Sequence, residues 1–484
     1  MKICFMCDLH LSFDRNSLQY KLLHWALEDA KKKKADCLVF AGDVTADGNR
    51  NSYQYFLERV EQTGIPYLYI PGNSDLRDQS TREEIYHNAS ATVTEFNGIK
   101  IFAVNDSDQD VSAEQLQALE KAGDDDLVFM HHPIRALQKE TREKLFKWRE
   151  NHANTKLFYG HLHISAVDGN DISLQAMDPD KAIGECPCVT YYDTDTQALE
   201  KVYYDCDVPA DLYSWFGISC YDVEEQITYA IEQHLKCLEL RPNALQTDEV
   251  KLQELISIWR KQGGVNLSIH LSEVYYQDGQ ACVGKDYEKL IALGEKLQAD
   301  RYTQHVPVVS VKTTKEDIAA LDKIAGLIAN VFQNVSANVV IGVENMHMTS
   351  KDTPDDNRRF GYTPEETLLF MEKLQEKCYQ KVGVNFDIGH ARSNVPYSQK
   401  YQISTWLSML GKHIVGYHLH QVKDIVGGFE NHTAFEDIYG KLISLASFFR
   451  CWTQEEISHA PVVFEMRTEN AYPITLETFS KYKA

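Results

Sequence analysis

Five short apolar runs in residues 1–165 each lead into Asp, Asn or His. The blocks that follow these runs are Asp8-Leu9-His10, Gly42-Asp43, Gly72-Asn73, His131-His132-Pro133 and Gly160-His161-Leu162-His163. Runs such as Cys37–Phe40 are typical of buried strands, and strands that end in polar residues gather them at one rim of a sheet. Seven oxygen and nitrogen donors exceed the needs of one ion. The pattern therefore predicts an α/β fold whose sheet rim holds two divalent ions that share a carboxylate.

In order and spacing, these blocks resemble the pattern of the calcineurin-like metallophosphoesterases, which reads D-x-H, GD, GN, a later His and GH-x-H. The resemblance implies an αββα sandwich and two divalent ions, which in this family are Mn, Fe, Zn or Mg. It also implies a set of seven metal ligands: Asp8, His10 and His163 for the first ion, Asn73, His131 and His161 for the second, and Asp43 as the bridge.

One position departs from the family pattern. The family often has His directly after the Asn of the third block, where it protonates the leaving oxygen or steadies the attacked phosphate. This chain has Ser74 there, followed by Asp75. Serine has no useful acidity near neutral pH, so we expect His132 or Asp75 to take over that role. Some family members without that His act on phosphodiesters. We therefore predict Asp43, Asn73 and His132 as the catalytic residues of this part of the chain.

From residue 217 onwards the pattern changes to strands that alternate with helices. Eight βα units in roughly 270 residues predict a (β/α)8 barrel, whose active site lies at the carboxyl ends of its strands. The last helix is expected over 435–450. The expected strands are 217–220, 236–240, 265–270, 306–311, 338–343, 382–386, 414–418 and 462–466.

The polar residues that end the last four expected strands resemble the metal set of the xylose isomerase-like barrels. That superfamily includes sugar isomerases and epimerases and endonuclease IV-type repair enzymes. Glu344, Asp387, His418 and Glu465 match its central metal set, which implies at least one Mn, Zn, Mg or Co ion. In the isomerases the two Glu residues also act as acid and base beside a carbonyl. The resemblance therefore implies Glu344 and Glu465 as catalytic residues.

The branch within this superfamily stays open. The trinuclear repair enzymes need additional His on strands three and four and after strands six and seven. His270, His390 and His432 meet part of that demand, whereas Glu430 stands where an Asp is expected. The fourth expected strand offers Ser310-Val311-Lys312 in place of a His. The Arg that ketose epimerases carry after the strand-seven His is also not evident, so neither branch matches fully.

Composition limits the partners and the compartment. The net charge of −22 repels polyanions, so nucleic acid is not expected as a partner. No signal peptide precedes the first strand, no apolar run is long enough to span a membrane, and the 11 Cys are scattered. We expect reduced thiols and a cytoplasmic protein without membrane contact. The oligomeric state stays open.

These features predict two domains, 1–207 and 211–484, joined by a polar linker at about 205–211. The first would hydrolyse a phosphodiester, or a phosphomonoester, of a small sugar or polyol. The second would isomerise, epimerise or otherwise process the sugar moiety. Lys312, Arg392 and Arg467 are candidates for contacts with a substrate phosphate. Two alternatives remain, a nucleic-acid processing enzyme with two phosphoesterase centres and a phosphoesterase with a non-catalytic binding barrel.

Overall fold

The computed structural model describes residues 1–348, 352–395, 397–426 and 428–483. The chain forms two compact units. The first unit comprises Met1–Cys206 and Tyr439–Ser447, and the second comprises Asp207–Ile438 and Phe448–Ala484. Among the described residues, which include all the cysteines, there is no disulfide. No described helix combines the length and the apolar composition that crossing a membrane requires.

The first unit is built from short strands and amphipathic helices. Its strands are β1 (Lys2–Met6), β2 (Cys37–Ala41), β3 (Tyr67–Ile70), β4 (Val93–Phe96), β5 (Ile99–Ala103), β6 (Leu127–Met130), β7 (Lys156–Tyr159), β8 (Ala166–Asp168), β9 (Asp171–Ser173), β10 (Cys188–Asp193) and β11 (Ala198–Tyr203). Its helices are α1 (Leu18–Lys32), α2 (Arg50–Glu61), α3 (Arg82–Asn88), α4 (Ala113–Leu119) and α5 (Lys139–Asn151).

These strands form two sheets that share one apolar core. One sheet has the order β11-β10-β1-β2-β3, and the other has the order β4-β5-β6-β7-β9-β8. Side chains from both sheets meet in a single buried cluster, in which the rings of Phe5 and Phe158 stack with centroids 4.0 Å apart. The predicted two-sheet sandwich with flanking helices is therefore confirmed.

The sheet topology brings the predicted ligand blocks together. Strand β2 pairs in parallel with β1 and with β3, and β6 pairs in parallel with β7. Parallel neighbours end at the same edge, so the residues that follow these strands share one rim.

The second unit alternates strands and helices. Its strands are β12 (Phe216–Cys220), β13 (Cys237–Leu240), β14 (Asn266–His270), β15 (Val274–Gln277), β16 (Gln280–Val283), β17 (Arg301–His305), β18 (Val340–Glu344), β19 (Lys381–Asp387), β20 (Ile414–Leu419), β21 (Gln421–Ile425), β22 (Gly428–Thr433) and β23 (Val462–Phe464). Its helices are α6 (Val223–Glu232), α7 (Glu249–Lys261), α8 (Tyr287–Lys296), α9 (Val311–Glu316), α10 (Ala320–Val331), α11 (Pro364–Gln375), α12 (Ile388–Ser393), α13 (Tyr397–Lys400), α14 (Ile403–Leu410), α15 (Ala446–Thr453, whose first two residues fall in the first unit) and α16 (Ala471–Ser480).

In the described part of this unit, eight parallel strands close into a barrel with the order β12-β13-β14-β17-β18-β19-β20-β23. Closure is completed by parallel pairing of β23 with β12. The predicted (β/α)8 barrel is therefore confirmed. Two hairpins, β15–β16 and β21–β22, lie outside the barrel wall.

The expected position of the fourth barrel strand is wrong. The apolar stretch 306–311 was favoured, but the strand is β17, Arg301–His305, and Val311 begins α9. Side chains alternate along the strand, and those that face the barrel interior are polar. Thr303 hydrogen-bonds to other polar side chains of the barrel interior, whereas Tyr302 stacks edge-on against Phe332. A barrel with a polar interior therefore does not show the apolar run that sequence analysis looks for.

The helix expected over 435–450 is also wrong in its first part. Helix α15 begins only at Ala446, and the residues before it form bonds within the first unit. The carbonyl of Tyr439 accepts from the N–H of Gly184 at 2.9 Å, and its hydroxyl donates to the carbonyl of Cys206 at 3.0 Å. These long-range bonds override local helix propensity.

The stacked pair at the centre of the sandwich yields a stability prediction. Phe158 is fully buried, so we expect Phe158→Ala to lower the free energy of unfolding of the first unit by about 3–5 kcal/mol, because it leaves a cavity. Denaturant unfolding measures this change. Phe146→Ala is the matched control, since Phe146 is 46% exposed on α5, and it should change stability little. Equal effects of the two substitutions would contradict the packing described here.

Candidate metal centres

The predicted ligands of the first unit lie within four residues of the strand ends, and five of the seven lie on strained turns. Positive φ angles are found at Asp8 (51°), His10 (47°), Asp43 (53°), His161 (66°) and His163 (60°). Such angles are uncommon outside glycine, and they persist where the surrounding structure imposes them, often at functional sites. The backbone is therefore shaped to turn these side chains towards one another.

Asp8, His10 and His163 form the first donor group. Their ligand atoms all lie within 4.8 Å of one another. Nε2 of His163 lies 3.5 Å from Nε2 of His10 and 3.5 Å from Oδ1 of Asp8. Two imidazole nitrogens and a buried carboxylate at such distances can all donate lone pairs to one divalent ion.

Asn73, His131 and His161 form the second group. Nδ1 of His131 bonds to the carbonyl of Ala41 at 3.0 Å, which leaves Nε2 as the lone-pair nitrogen. That Nε2 lies 3.2 Å from Oδ1 of Asn73, and the ring of His131 lies 5.2 Å from the ring of His161. The three residues can therefore contribute two nitrogens and an amide oxygen.

Asp43 lies between the two groups. Its Oδ2 is 3.7 Å from Nε2 of His10 and 3.5 Å from Nε2 of His131. Burial disfavours a charged carboxylate, but the adjacent His131 outweighs burial and holds the pKa of Asp43 well below its usual range. Asp43 therefore remains ionised and occupies the position that a bridging carboxylate requires.

Three glycines allow these side chains to approach the backbone closely. A Cβ atom at Gly42 would lie 2.4 Å from Nδ1 of His131, and one at Gly72 would lie 2.2 Å from Oδ1 of Asp43. At Gly160 it would lie 2.8 Å from Oδ2 of Asp8. Side chains at these positions would displace the ligands themselves.

Ser74, which replaces the usual His, contacts the bridging residue. Its backbone N–H and its hydroxyl donate to the two oxygens of Asp43 at 2.7 and 3.0 Å. Asp75 accepts from the N–H groups of Thr45 and Gly72 at 2.8 and 2.9 Å and is fully buried. Burial raises the pKa of Asp75 to about 6, with the charge of Asp43 as the next cause. Asp75 therefore joins two ligand-bearing turns.

His132 is placed differently. It is fully buried, and its ring lies 4.3 Å from that of His161. Asp106 accepts from the backbone N–H of His132 at 2.7 Å and lies 3.3 Å from its Nδ1. Nε2 of His132 has no hydrogen-bond partner among the described residues. Asp106 thus fixes the ring and leaves one nitrogen for chemistry.

The barrel holds a second convergence of donors, formed by Glu344, Asp387, His418 and Glu465, whose ligand atoms lie within 4.8 Å of one another. Nδ1 of His418 lies 2.9 Å from Oε2 of Glu465 and 3.2 Å from Oε2 of Glu344. Nδ1 of His418, the Oε2 atoms of Glu465 and Glu344, and Oδ2 of Asp387 all lack a hydrogen bond of proper geometry to any described residue. Buried polar atoms without partners are costly, so these lone pairs fit a cation in their midst.

Further imidazoles surround Glu344. His270 and His305 approach its two oxygens at 3.4 and 3.6 Å. His305 ends β17, so the fourth strand does supply a histidine, and the expectation of Ser310-Val311-Lys312 at this place is wrong. His305 is not among the predicted site residues, because the apolar stretch 306–311 places the expected fourth strand five residues too late.

Another donor group of the barrel lies beside the group formed by Glu344, Asp387, His418 and Glu465. His390, His420 and His432 offer nitrogens within 4.8 Å of one another, and Nε2 of His420 lies 3.1 Å from Oδ1 of Asp387. His390 and His432 are predicted ligands that the structure brings to this group. His420 was missed, although its position two residues after His418 places it on the same face of the chain.

Hydrogen bonds assign the tautomers of these rings. Nδ1 of His270 bonds to the carbonyl of Leu271, and that of His432 bonds to the carbonyl of Glu465. His305 instead pairs its Nδ1 with the carboxylate of Glu273 at 3.0 Å. Each ring thus uses one nitrogen for orientation and keeps the other for an ion.

The second oxygen of Glu465 is already bonded. Tyr221 donates its hydroxyl to Oε1 at 2.7 Å, and Arg241 and Arg467 approach the same atom at 3.1 and 3.3 Å. Of the other predicted phosphate contacts, Lys312 pairs with Glu316 on α9 and Arg392 lies 5.7 Å over the ring of Phe429. Arg467 therefore contacts a predicted metal ligand.

The model of the calcineurin-like phosphoesterase family matches residues 1–165. A probable cyclic nucleotide phosphodiesterase of Pseudoalteromonas sp. (strain SM9913) is 34% identical over 86 residues, which are 16% of this chain and 33% of the relative. A probable glycerophosphodiester phosphodiesterase of Arcobacter nitrofigilis is 33% identical over 118 residues, 21% of this chain and 43% of the relative. The chain thus spans less than half the length of these curated relatives.

Two solved structures are also similar to parts of the chain. A D-tagatose 3-epimerase-like protein is 15% identical and covers 55% of this chain and 96% of its own, with a TM-score of 0.38. A dimetal phosphatase from Danio rerio is 15% identical and covers 40% of this chain and 92% of its own, with a TM-score of 0.30. Residues 1–165, which carry the ligand blocks, are therefore similar to the calcineurin-like phosphoesterases.

Proposed function

We propose that the domain formed by residues 1–207 hydrolyses a phosphodiester of a small substrate, with a phosphomonoester as the less favoured substrate. Its two divalent ions would be Mn, Fe, Zn or Mg. The observation that carries the proposal is the position of Asp43, whose carboxylate lies within 3.7 Å of imidazoles from both donor groups. Such a pair of ions supplies a water molecule of lowered pKa and polarises the phosphoryl oxygens.

The protein's own residues would divide the remaining work. Asp8, His10 and His163 hold one ion, and Asn73, His131 and His161 hold the other. Ser74 orients Asp43 through two hydrogen bonds. His132, oriented by Asp106, protonates the leaving oxygen in place of the missing histidine.

The substrate class follows from charge and from the relatives. A net charge of −22 disfavours long polyanions, whereas the ions dominate the local field for a small anion. Both curated relatives carry phosphodiesterase names, for cyclic nucleotides and for glycerophosphodiesters. A small phosphodiester is therefore the substrate that we propose.

Removal of the bridging charge tests the first domain. We expect Asp43→Asn to hold fewer divalent ions per chain and to lose at least about a hundredfold in hydrolysis of bis(p-nitrophenyl) phosphate, because the shared carboxylate is absent. Elemental analysis and a rate assay measure both quantities. Asp29→Asn, on α1, is the control. Unchanged ion content and unchanged rate in Asp43→Asn would overturn the dinuclear proposal.

The leaving group tests the role of His132. A p-nitrophenolate departs without protonation, whereas an alkoxide needs an acid. We expect His132→Gln to slow hydrolysis of an alkyl diester by about 10²–10⁴-fold and to slow the p-nitrophenyl diester far less. Equal loss on both substrates, with the ion content unchanged, would contradict a role as general acid.

We propose that the barrel, residues 211–484, also binds divalent ions (Mn, Zn, Mg or Co), and two reactions compete for it. Isomerisation or epimerisation of a sugar would use Glu344 and Glu465 as acid and base. Phosphoester hydrolysis at a second centre is favoured by the large number of donors in the barrel, since Glu344 lies within 3.6 Å of His270, His305 and His418. The three donors on Oε1 of Glu465 also make it a poor proton shuttle. Hydrolysis is therefore our preferred reaction for the barrel.

Solvent isotope exchange separates these reactions. In the full chain with Asp43→Asn, we expect a phosphoester panel to retain activity that Glu344→Gln abolishes, and we expect more than one ion per barrel. Deuterium incorporation beside the carbonyl of a ketose, followed by NMR, would instead support isomerisation. The absence of both activities, with ions bound, would favour a non-catalytic barrel.

A further inference from the structure

Both ring nitrogens of His418 face carboxylates, as do those of His305. Nδ1 faces Glu465 and Glu344 in the central donor group. Nε2 lies 3.1 and 3.2 Å from the two oxygens of Glu239, a residue that belongs to none of the donor groups described above. His270 and His432 use backbone carbonyls for the same purpose, whereas His418 has a charged partner, as His305 has in Glu273.

Glu239 is itself held firmly inside the barrel. It lies on β13 and is fully buried. Thr303 on β17 and Ser268 on β14 donate their hydroxyls to its Oε2 at 2.7 and 3.1 Å. The side chain is therefore a fixed acceptor.

We propose that Glu239 is a positioning residue for the barrel's metal centre. It accepts the Nε2–H of His418, which keeps the lone pair on Nδ1, aimed at the central donor group. The negative charge behind the ring also makes that lone pair more basic, as carboxylate partners of metal-binding histidines do. The inference rests on the proposed metal binding of the barrel and adds a residue that acts through His418 rather than by touching substrate.

A purely structural role is the competing explanation. Arg241 lies 3.6 Å from Oε1 of Glu239, so the carboxylate also contributes to a buried ion pair. A structural role predicts that a substitution changes stability alone. A positioning role predicts that it changes the affinity of the folded protein for metal.

The test compares full chains that all carry Asp43→Asn, so that a change in ion affinity caused by a further substitution reports on the barrel. Zn²⁺ affinity is measured by competition with a chromogenic chelator. We expect Glu239→Gln to weaken the affinity of the barrel by about 10–100-fold, because the amide accepts the same hydrogen bond without the charge. Circular dichroism confirms that the variant is folded. Unchanged Zn²⁺ affinity in the folded variant would overturn the inference.

A matched control is Asp300→Asn. Asp300 is bonded to Arg260 and to the N–H of Leu267, just before the start of β17 and away from the donor groups. It should lower stability without weakening Zn²⁺ binding, and an equal loss of affinity in this control would count against a specific role for Glu239. If Glu239→Gln does not fold, Thr303→Val removes one hydroxyl that holds Glu239 and should weaken binding to a smaller extent. Unchanged affinity in that variant would then overturn the inference.

Zn²⁺ binding by the Asp43→Asn chain distinguishes failure of the proposed barrel metal centre from failure of the proposed role of Glu239. If the Asp43→Asn chain binds no Zn²⁺ at all, the proposed metal centre of the barrel fails. If it binds Zn²⁺ and Glu239→Gln binds equally well, only the role of Glu239 fails.

Discussion

Buried carboxylates that face imidazoles are the constraint on which both units depend. A charged oxygen in the interior costs free energy unless a positive partner is near. Asp43 is nearly fully buried between His10 and His131, and Glu344 is buried among His270, His305 and His418. Divalent cations would meet this demand in both places, because each offers the positive charge that several ligands can share.

Both units solve the problem of assembly in the same way. Parallel strands end at a common edge, and the residue that follows each strand is delivered to that edge. In the first unit the turns are forced into left-handed conformations at five of the predicted ligands, all within the described residues. In the barrel the closed ring of strands brings donors from β14, β17, β18, β19, β20 and β23 to one mouth. Strained turns in the first unit and barrel closure in the second unit thus both bring candidate ligands together.

The two centres differ in how their ligands are held. Around Asp43 the support comes from Ser74 and from glycines that let the ligands approach the backbone. In the barrel it comes from hydroxyls and from carboxylates behind the ligands, such as Glu239 and Glu273. The polar interior of the barrel therefore supports its donor groups, and it explains why β17 lacks an apolar pattern.

The sequence by itself determined the fold classes, because most strands and helices show apolar runs or helical spacing that can be recognised without the tertiary structure. It also predicted where candidate ligands of the first unit gather, since each belongs to a block that lies just beyond the end of a strand. Only the tertiary structure decided that His305 rather than Ser310 faces Glu344, that Ser74 bonds to Asp43, and that Glu239 lies behind His418. These contacts join residues that are 31 to 179 positions apart. Such pairings depend on strand register and barrel closure, which local patterns do not encode.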